Sequence, residues 1–333
     1  MFWQIVRALN ETLTSIKVSI KTFREWFFTG RFKVIRVSGL LGLNGPEVTV
    51  LYAGNDSLLP HLKALLFHSK TSCEVLAEAK GHELQKIVQS FFPKNFDLVI
   101  MDRLPFNIKK DGVSAVVPPY VEMIIDLPSS ADSFLEDIES YNTKRYTKKM
   151  LHAGFSFEES TKREDFEYFY HNLFLSLVKV RYLENPIVPE FNEFMASSVK
   201  NTLIFITKDS QKLGGSQILW PRIPTSPVRV SRFGISQNVF NDKNLLKMVN
   251  LAIYYFSITA AISHGYRKIN FGVTPPALNN GILDYKMKWG AKYFLGRNST
   301  RWLFNWKDSE RKELFLKHIH LLHLDRNGIE PLK

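Results

Sequence analysis

Cysteine is nearly missing from this chain: Cys73 is the single thiol among 333 residues. One thiol excludes an intramolecular disulfide framework, fits a reducing compartment, and reads as a small buried hydrophobe. Long apolar runs are missing as well. No uninterrupted stretch reaches the roughly 18–20 residues that span a bilayer, and the start carries no compact apolar segment with a cleavage site. The expected location is therefore cytoplasmic. Nucleotide fingerprints are wanting too. Gly39-Leu-Leu-Gly-Leu-Asn-Gly45 is rich in glycine, but its spacing matches neither a dinucleotide nor a P-loop signature and reads as a turn. His318, His320 and His323 invite a metal reading. On a helix, however, positions 318 and 320 point about 200° apart, so only 320 and 323 share a side, and no metal is expected.

Negative charge is the minority sign, 32 Asp and Glu against 44 Lys and Arg, which leaves a net charge of +12. That surplus suits an anionic partner: the phosphopantetheine of a CoA or carrier protein, a tRNA, or an acidic membrane face. Residues 1–30 reinforce the last option. Phe2, Trp3, Ile5, Leu9, Leu13, Ile16 and Ile20 alternate at helical spacing with Arg7, Lys17, Lys21 and Arg24, a basic amphipathic helix that packs on the body or rests peripherally on the inner membrane face.

The apolar fraction of 45% supports a large core, and the length suggests two domains. Between residues 31 and 129, β-branched runs at 47–53, 73–77, 96–101 and 120–127 alternate with helical stretches, one capped by Asn55 and running to His68, another over 79–91. From 130 onward Ser130 caps a helix carrying Phe134, Leu135 and Ile138, and Lys144, Arg145, Lys148 and Lys149 then crowd a second one that ends near Gly154. Further helices are expected over 162–180 and 189–199. The period then shortens: 202–207, 215–220 and 228–234 read as an antiparallel meander. A long helix follows from Asn241-Asp242 to Ser263, then a short strand at 268–271, and a last strand at 300–306 precedes a closing helix from Ser309.

Everything in that order leads to residues 263–296. There Gly265-Tyr266-Arg267-Lys268-Ile269-Asn270-Phe271-Gly272 is followed, after a Pro/Asn loop, by Tyr285-Lys286-Met287-Lys288-Trp289-Gly290. The pair resembles the closing motif of the Fem-type branch of the GNAT acyltransferase superfamily, a strand ending in Asp-Phe-Gly and a Phe-Lys helix ending in Gly. Asn270 stands where an Asp is usual, and Tyr285 where a Phe is.

The resemblance implies an α/β (α+β) fold of two tandem GNAT-like units with mixed, mostly antiparallel sheets flanked by helices: a degenerate first unit over 31–129 and a second unit with the active cleft over 130–333. It implies an N-acyltransferase that moves an acyl group from an acyl-CoA or acyl-carrier-protein thioester to an amine-bearing acceptor in the cleft between splayed strands. An aminoacyl-tRNA donor, and a non-catalytic basic membrane- or nucleic-acid-binding module, are the alternatives. By the same resemblance Lys286 is the cation beside the donor, Tyr285 an aromatic wall with a hydroxyl, and Asp284 and His264 the candidates for general base. Arg232, Phe233, Asn270, Phe271 and Gly272 line the cleft. One departure stands out: the glycine-rich pyrophosphate turn of ordinary GNATs is replaced by Gln237-Asn-Val-Phe-Asn-Asp-Lys-Asn244, where Asp242 repels a phosphate that Lys243 and Lys247 would attract.

Overall fold

A computed structural model describes residues 31–68, 70–91, 96–103, 114–181, 188–198, 200–296, 301–325 and 328–332. The amphipathic helix expected over 1–30 lies outside them. The chain divides into two compact units, one comprising Met1–Val121, Pro275–Leu283 and Leu295–Lys333, the other Glu122–Thr274 and Asp284–Phe294.

The first unit is built on a six-stranded mixed sheet in the order Ser72–Lys80, Arg31–Leu40, Glu47–Gly54, Leu98–Arg103, Arg301–Trp306, Ser114–Val117. Alternation of side chains across the pleat separates two cores. Val48, Val50, Tyr52, Leu98 and Ile100 pack with helices Leu59–Leu66 and Ser309–His318, while Leu51, Ala53 and Val99 pack with helix Gly81–Phe91. The turn read at Gly39–Gly45 joins the first two strands, with Gly42 at φ +60° and Gly45 N–H donating to the Leu41 carbonyl at 2.9 Å.

Several expectations are corrected here. Strand Arg31–Leu40 escaped the sequence reading, although Phe32, Val34 and Val37 are buried within it. Asn55 does cap, its side chain accepting from Ser57 N–H, but a 3₁₀ turn precedes the α-helix, which stops at Leu66 rather than His68. Cys73 is exposed, because the strand that carries it lies at the edge of the sheet. The closing helix ends at His318, so His320 and His323 are not helical. The last long strand does not extend the second unit as expected. Arg301–Trp306 pairs antiparallel with both Leu98–Arg103 and Ser114–Val117 and places Trp302, Phe304 and Trp306 in the first unit's core.

The second unit has a seven-stranded mixed sheet in the order Lys292–Phe294, Val121–Asp126, Lys268–Thr274, Val228–Ile235, Gln211–Leu219, Asn201–Lys208, Ser156–Ser160. The meander expected from alternation is present and antiparallel throughout. One face is covered by helix Lys243–Ser263. By length and composition that helix is long and apolar enough to cross a membrane, contrary to expectation, but most of its apolar stretch is buried inside the protein, as in a core helix. The other face carries helices Arg163–Tyr168 and Leu175–Arg181, joined by a π-helical segment Phe169–Phe174, together with helix Phe191–Ser198. Phe166, Phe169, Leu173, Phe194, Leu203 and Phe205 form the core on that side. The helix expected as one piece over 162–180 is thus interrupted by a wider turn. Its backbone presses on Gly234, where an added Cβ would lie 2.6 Å from Leu173 Cβ and 3.0 Å from Phe174 N.

Candidate functional site

In the second unit the parallel strands Val228–Ile235 and Lys268–Thr274 pair only at Val228↔Ile269 and Arg229↔Asn270, and then diverge. Two local features open this fork. The Val228 strand shifts register against its antiparallel neighbour between Val230 and Arg232, a bulge that bends the strand. On the other arm Gly272 adopts φ +75°, and its N–H donates to Asn270 Oδ1 at 2.8 Å instead of continuing a ladder. Diverging parallel strands expose backbone donors and acceptors to a ligand that can complete the pairing.

The two faces of the fork differ in chemistry. Toward the long helix, Phe233 and Phe271 stack with Tyr254 at centroid distances of 5.5 and 4.4 Å, and Trp289 continues the stack 5.7 Å from Tyr254. Tyr285 meets Tyr254 edge-on at 5.1 Å. Phe233 and Phe271, expected to line the cleft, therefore help fill the interior against the long helix.

Strand alternation turns Arg232 and Asn270 to the opposite face. Arg232 Nη1 donates to Gln217 Oε1 at 2.7 Å, and its guanidinium lies 5.0 Å from the Phe194 ring centroid. Burial lowers its pKa below the ordinary arginine value. Gln217 is fully buried, donates to Ser198 Oγ at 2.7 Å and accepts from Ser231 Oγ at 3.2 Å. Asn270 is 8% exposed, and its Nδ2 donates to Glu122 Oε2 at 3.2 Å. Gln217, Ser231, Arg232, Asn270 and Glu122 thus give the fork a polar face. Sequence reasoning missed Gln217 and Glu122. Each is a polar residue beside strongly apolar strand neighbours, Ile218 and Leu219 for Gln217 and Val121, Met123 and Ile124 for Glu122, a signal that would have marked them.

Lys286 is 4% exposed, and its Nζ donates to Thr274 Oγ1 at 2.8 Å and to the Val273 carbonyl at 3.2 Å. The ammonium therefore sits at the far end of the diverging Lys268 strand. Its helix, Gly281–Met287, closes at Gly290 with φ +84°. Neither candidate base reaches the fork. Asp284 is exposed and ion-paired with Lys288 at 2.6 Å, one turn along the chain. His264 caps the long helix before the Lys268 strand begins, where its Nε2 meets the Glu159 carboxylate at 3.0 Å and its ring packs tilted against Trp220 at 4.4 Å.

The start of the long helix is closed by its own side chain. Asp242 Oδ1 accepts from Asn244 N–H at 2.8 Å and Leu245 N–H at 3.1 Å. A carboxylate there uses the donors and the positive end of the helix dipole that a pyrophosphate would need, so this site does not fit one. Lys243 is exposed, while Lys247 lies over the Tyr146 ring at 3.1 Å. In the basic helix Tyr141–His152, Lys144 and Lys148 both bind Glu136, which they hold down at about 2. Arg145 instead stacks on Tyr141 and Tyr146, and Lys149 is exposed. Lys247, foremost, and Arg145 lower the Tyr146 pKa. Among the described residues, no three His, Cys, Asp or Glu side chains are grouped to hold a metal ion.

No protein-family model matches the sequence, and no curated protein matches it. Solved structures do. FemX is 12% identical over 82% of this chain and 88% of its own, with a TM-score of 0.43. The C-terminal domain of a lysylphosphatidylglycerol synthetase from Agrobacterium fabrum is 10% identical over 86% and 84%, with a TM-score of 0.40. L-PGS from Bacillus licheniformis is 12% identical over 81% of each chain, with a TM-score of 0.39.

Proposed function

We propose that the protein is an acyltransferase that moves an acyl group from a thioester or ester donor to an amine, with the reaction at the fork between the Val228 and Lys268 strands. The observation that supports this most directly is the pairing of those strands at two residue pairs before they diverge, with aromatic packing on one face and a polar set on the other. Amine attack on an activated carbonyl needs no covalent enzyme intermediate. It needs the donor held in line, a donor group for the developing oxyanion and removal of a proton. Backbone N–H groups on the diverging strands suit the second need, and Lys286, tied to Val273 and Thr274, fixes the end of one arm.

Acyl-carrier protein fits better as the thioester donor than free CoA, since Asp242 takes the helix start where a CoA pyrophosphate would sit. A second reading, an aminoacyl-tRNA donor, draws on the surface where Arg145 and Lys247 lie over Tyr141 and Tyr146. A non-catalytic basic module is less well supported, because two of the four clustered cations, Lys144 and Lys148, are engaged by the Glu136 carboxylate.

The test is thermal stabilisation of the purified protein by acyl-CoAs of increasing chain length, acyl-carrier protein and aminoacyl-tRNA. A ligand at about 100 times its Kd adds roughly 2.7 kcal/mol. A shift with one donor class that is lost in Arg232→Ala supports the fork as the donor site. No shift with any of them sinks the acyltransfer reading.

A further inference from the structure

We propose that Glu122 is the proton acceptor of the transfer reaction and that Asn270 is the positioning residue that aims it. The inference rests on the acyltransfer reading above.

The polarity of the pair follows from its hydrogen bonds. The Gly272 N–H can only donate, so the Asn270 atom 2.8 Å away must be Oδ1. The amide NH2 is then turned to Glu122, which must accept. Asn270 is buried and held at both ends, so it fixes one carboxylate oxygen and leaves Oε1 to a substrate. Glu122 itself is half-buried, in the strand beside the fork arm. No cation among the described residues pairs with it.

This arrangement accounts for the departure at position 270. An aspartate there would set two carboxylates against each other, and one of them would have to hold a proton. Asparagine keeps the contact with Gly272 and supplies a donor to Glu122. The two bases expected from the sequence are committed elsewhere, Asp284 to Lys288 and His264 to Glu159.

In the reaction, Glu122 takes one proton from the substrate ammonium. The amine lone pair forms the C–N bond as the carbonyl π pair moves onto oxygen. The tetrahedral intermediate collapses with cleavage of the C–S or C–O bond, and the departing thiolate or alkoxide takes the second nitrogen proton. The products are an amide, a thiol or alcohol, and a proton that Glu122 returns to solvent.

The experiment compares wild type with Glu122→Gln, using the donor class that stabilises the wild-type protein in the panel of acyl-CoAs, acyl-carrier protein and aminoacyl-tRNA. Two acceptors are offered at pH 7: butylamine, which is protonated, and hydroxylamine, which is neutral. Glu122→Gln is expected to keep the donor's thermal shift and to lose transfer to butylamine by about 10²–10⁴-fold, with a far smaller loss to hydroxylamine. Equal loss with both acceptors, or no loss, overturns the assignment. Absence of any donor shift in wild type overturns the acyltransfer reading and this role with it. The Asn270 side-chain amide resonance gives a readout independent of turnover. It should titrate with one carboxyl group in wild type and not in Glu122→Gln, and any other result overturns the pair. Asn270→Asp should move the acid limb of the pH–rate profile upward, since the added carboxylate makes Glu122 harder to ionise.

Discussion

Two buried charges carry the residue-scale expectations. Lys286 gives hydrogen bonds to a hydroxyl and a carbonyl at the end of a fork arm, and Thr274 is itself buried. Lys286→Met removes the donor but keeps the stem, so it should lower stability by about 1–3 kcal/mol, measured by chemical denaturation, and should weaken donor stabilisation. Asp102 in the first unit is 6% exposed. It accepts from Tyr52 Oη at 3.0 Å and Asn55 N–H at 2.6 Å. Desolvation pushes its pKa up to about 6, against the opposing pull of those two hydrogen bonds. Its folded pKa exceeds the unfolded one, so the stability it contributes is complete below pH 4 and is lost as pH rises through about 6. The gap of about two units corresponds to roughly 3 kcal/mol. Unfolding free energies of wild type minus Asp102→Asn, measured from pH 4 to 7, should fall with pH; a flat difference would refute the shift.

At the scale of elements, the π-helical segment and the long helix each make a prediction. Gly234 lets the Leu173 and Phe174 backbone rest on the Val228 strand. Gly234→Ala must push that backbone away, and should cost about 1–3 kcal/mol in thermal or denaturant unfolding. The long helix is capped by Asp242, and serine there would keep an oxygen acceptor while removing the charge. Asp242→Ser should therefore leave stability within about 1 kcal/mol and raise affinity for free CoA, read by calorimetric titration. Unchanged CoA affinity would mean that the carboxylate is not what keeps pyrophosphate from this helix.

Over the whole molecule the decisive quantities are net charge and strand order. At +12, binding of a polyanionic donor should weaken steadily with added salt. The double variant Arg145→Ala/Lys247→Ala should reduce the slope of affinity against salt concentration if the Tyr141–Tyr146 surface meets phosphates, and leave it unchanged if it does not. Strand order is where sequence reading succeeded unevenly. The meander, the long helix and the short strand at 268 were legible because alternation, a cap and glycine stops are local signals. Arg31–Leu40 was missed beside a stretch of helical periodicity, and the short strands Ser156–Ser160 and Lys292–Phe294 were missed because few residues carry any period.

The sequence by itself determined the elements that depend on neighbouring residues: the Asp242 and Ser130 caps, the Gly42 turn, the antiparallel meander and the strand–loop–helix of residues 265–290. These follow from backbone geometry and hydrogen bonds closed within a few positions. Only the tertiary structure decided which side chains share the fork. Glu122 and Asn270 are 148 positions apart, Arg232 and Ser197 are 35, and the Trp302 strand joins a sheet begun near residue 31. Strand partners and charge partners are chosen by burial and register across the sheet, and no local pattern encodes them. For the same reason His264 looked available in the sequence until folding brought Glu159 to it, whereas the pairing of Asp284 with Lys288 is a local contact one helical turn apart.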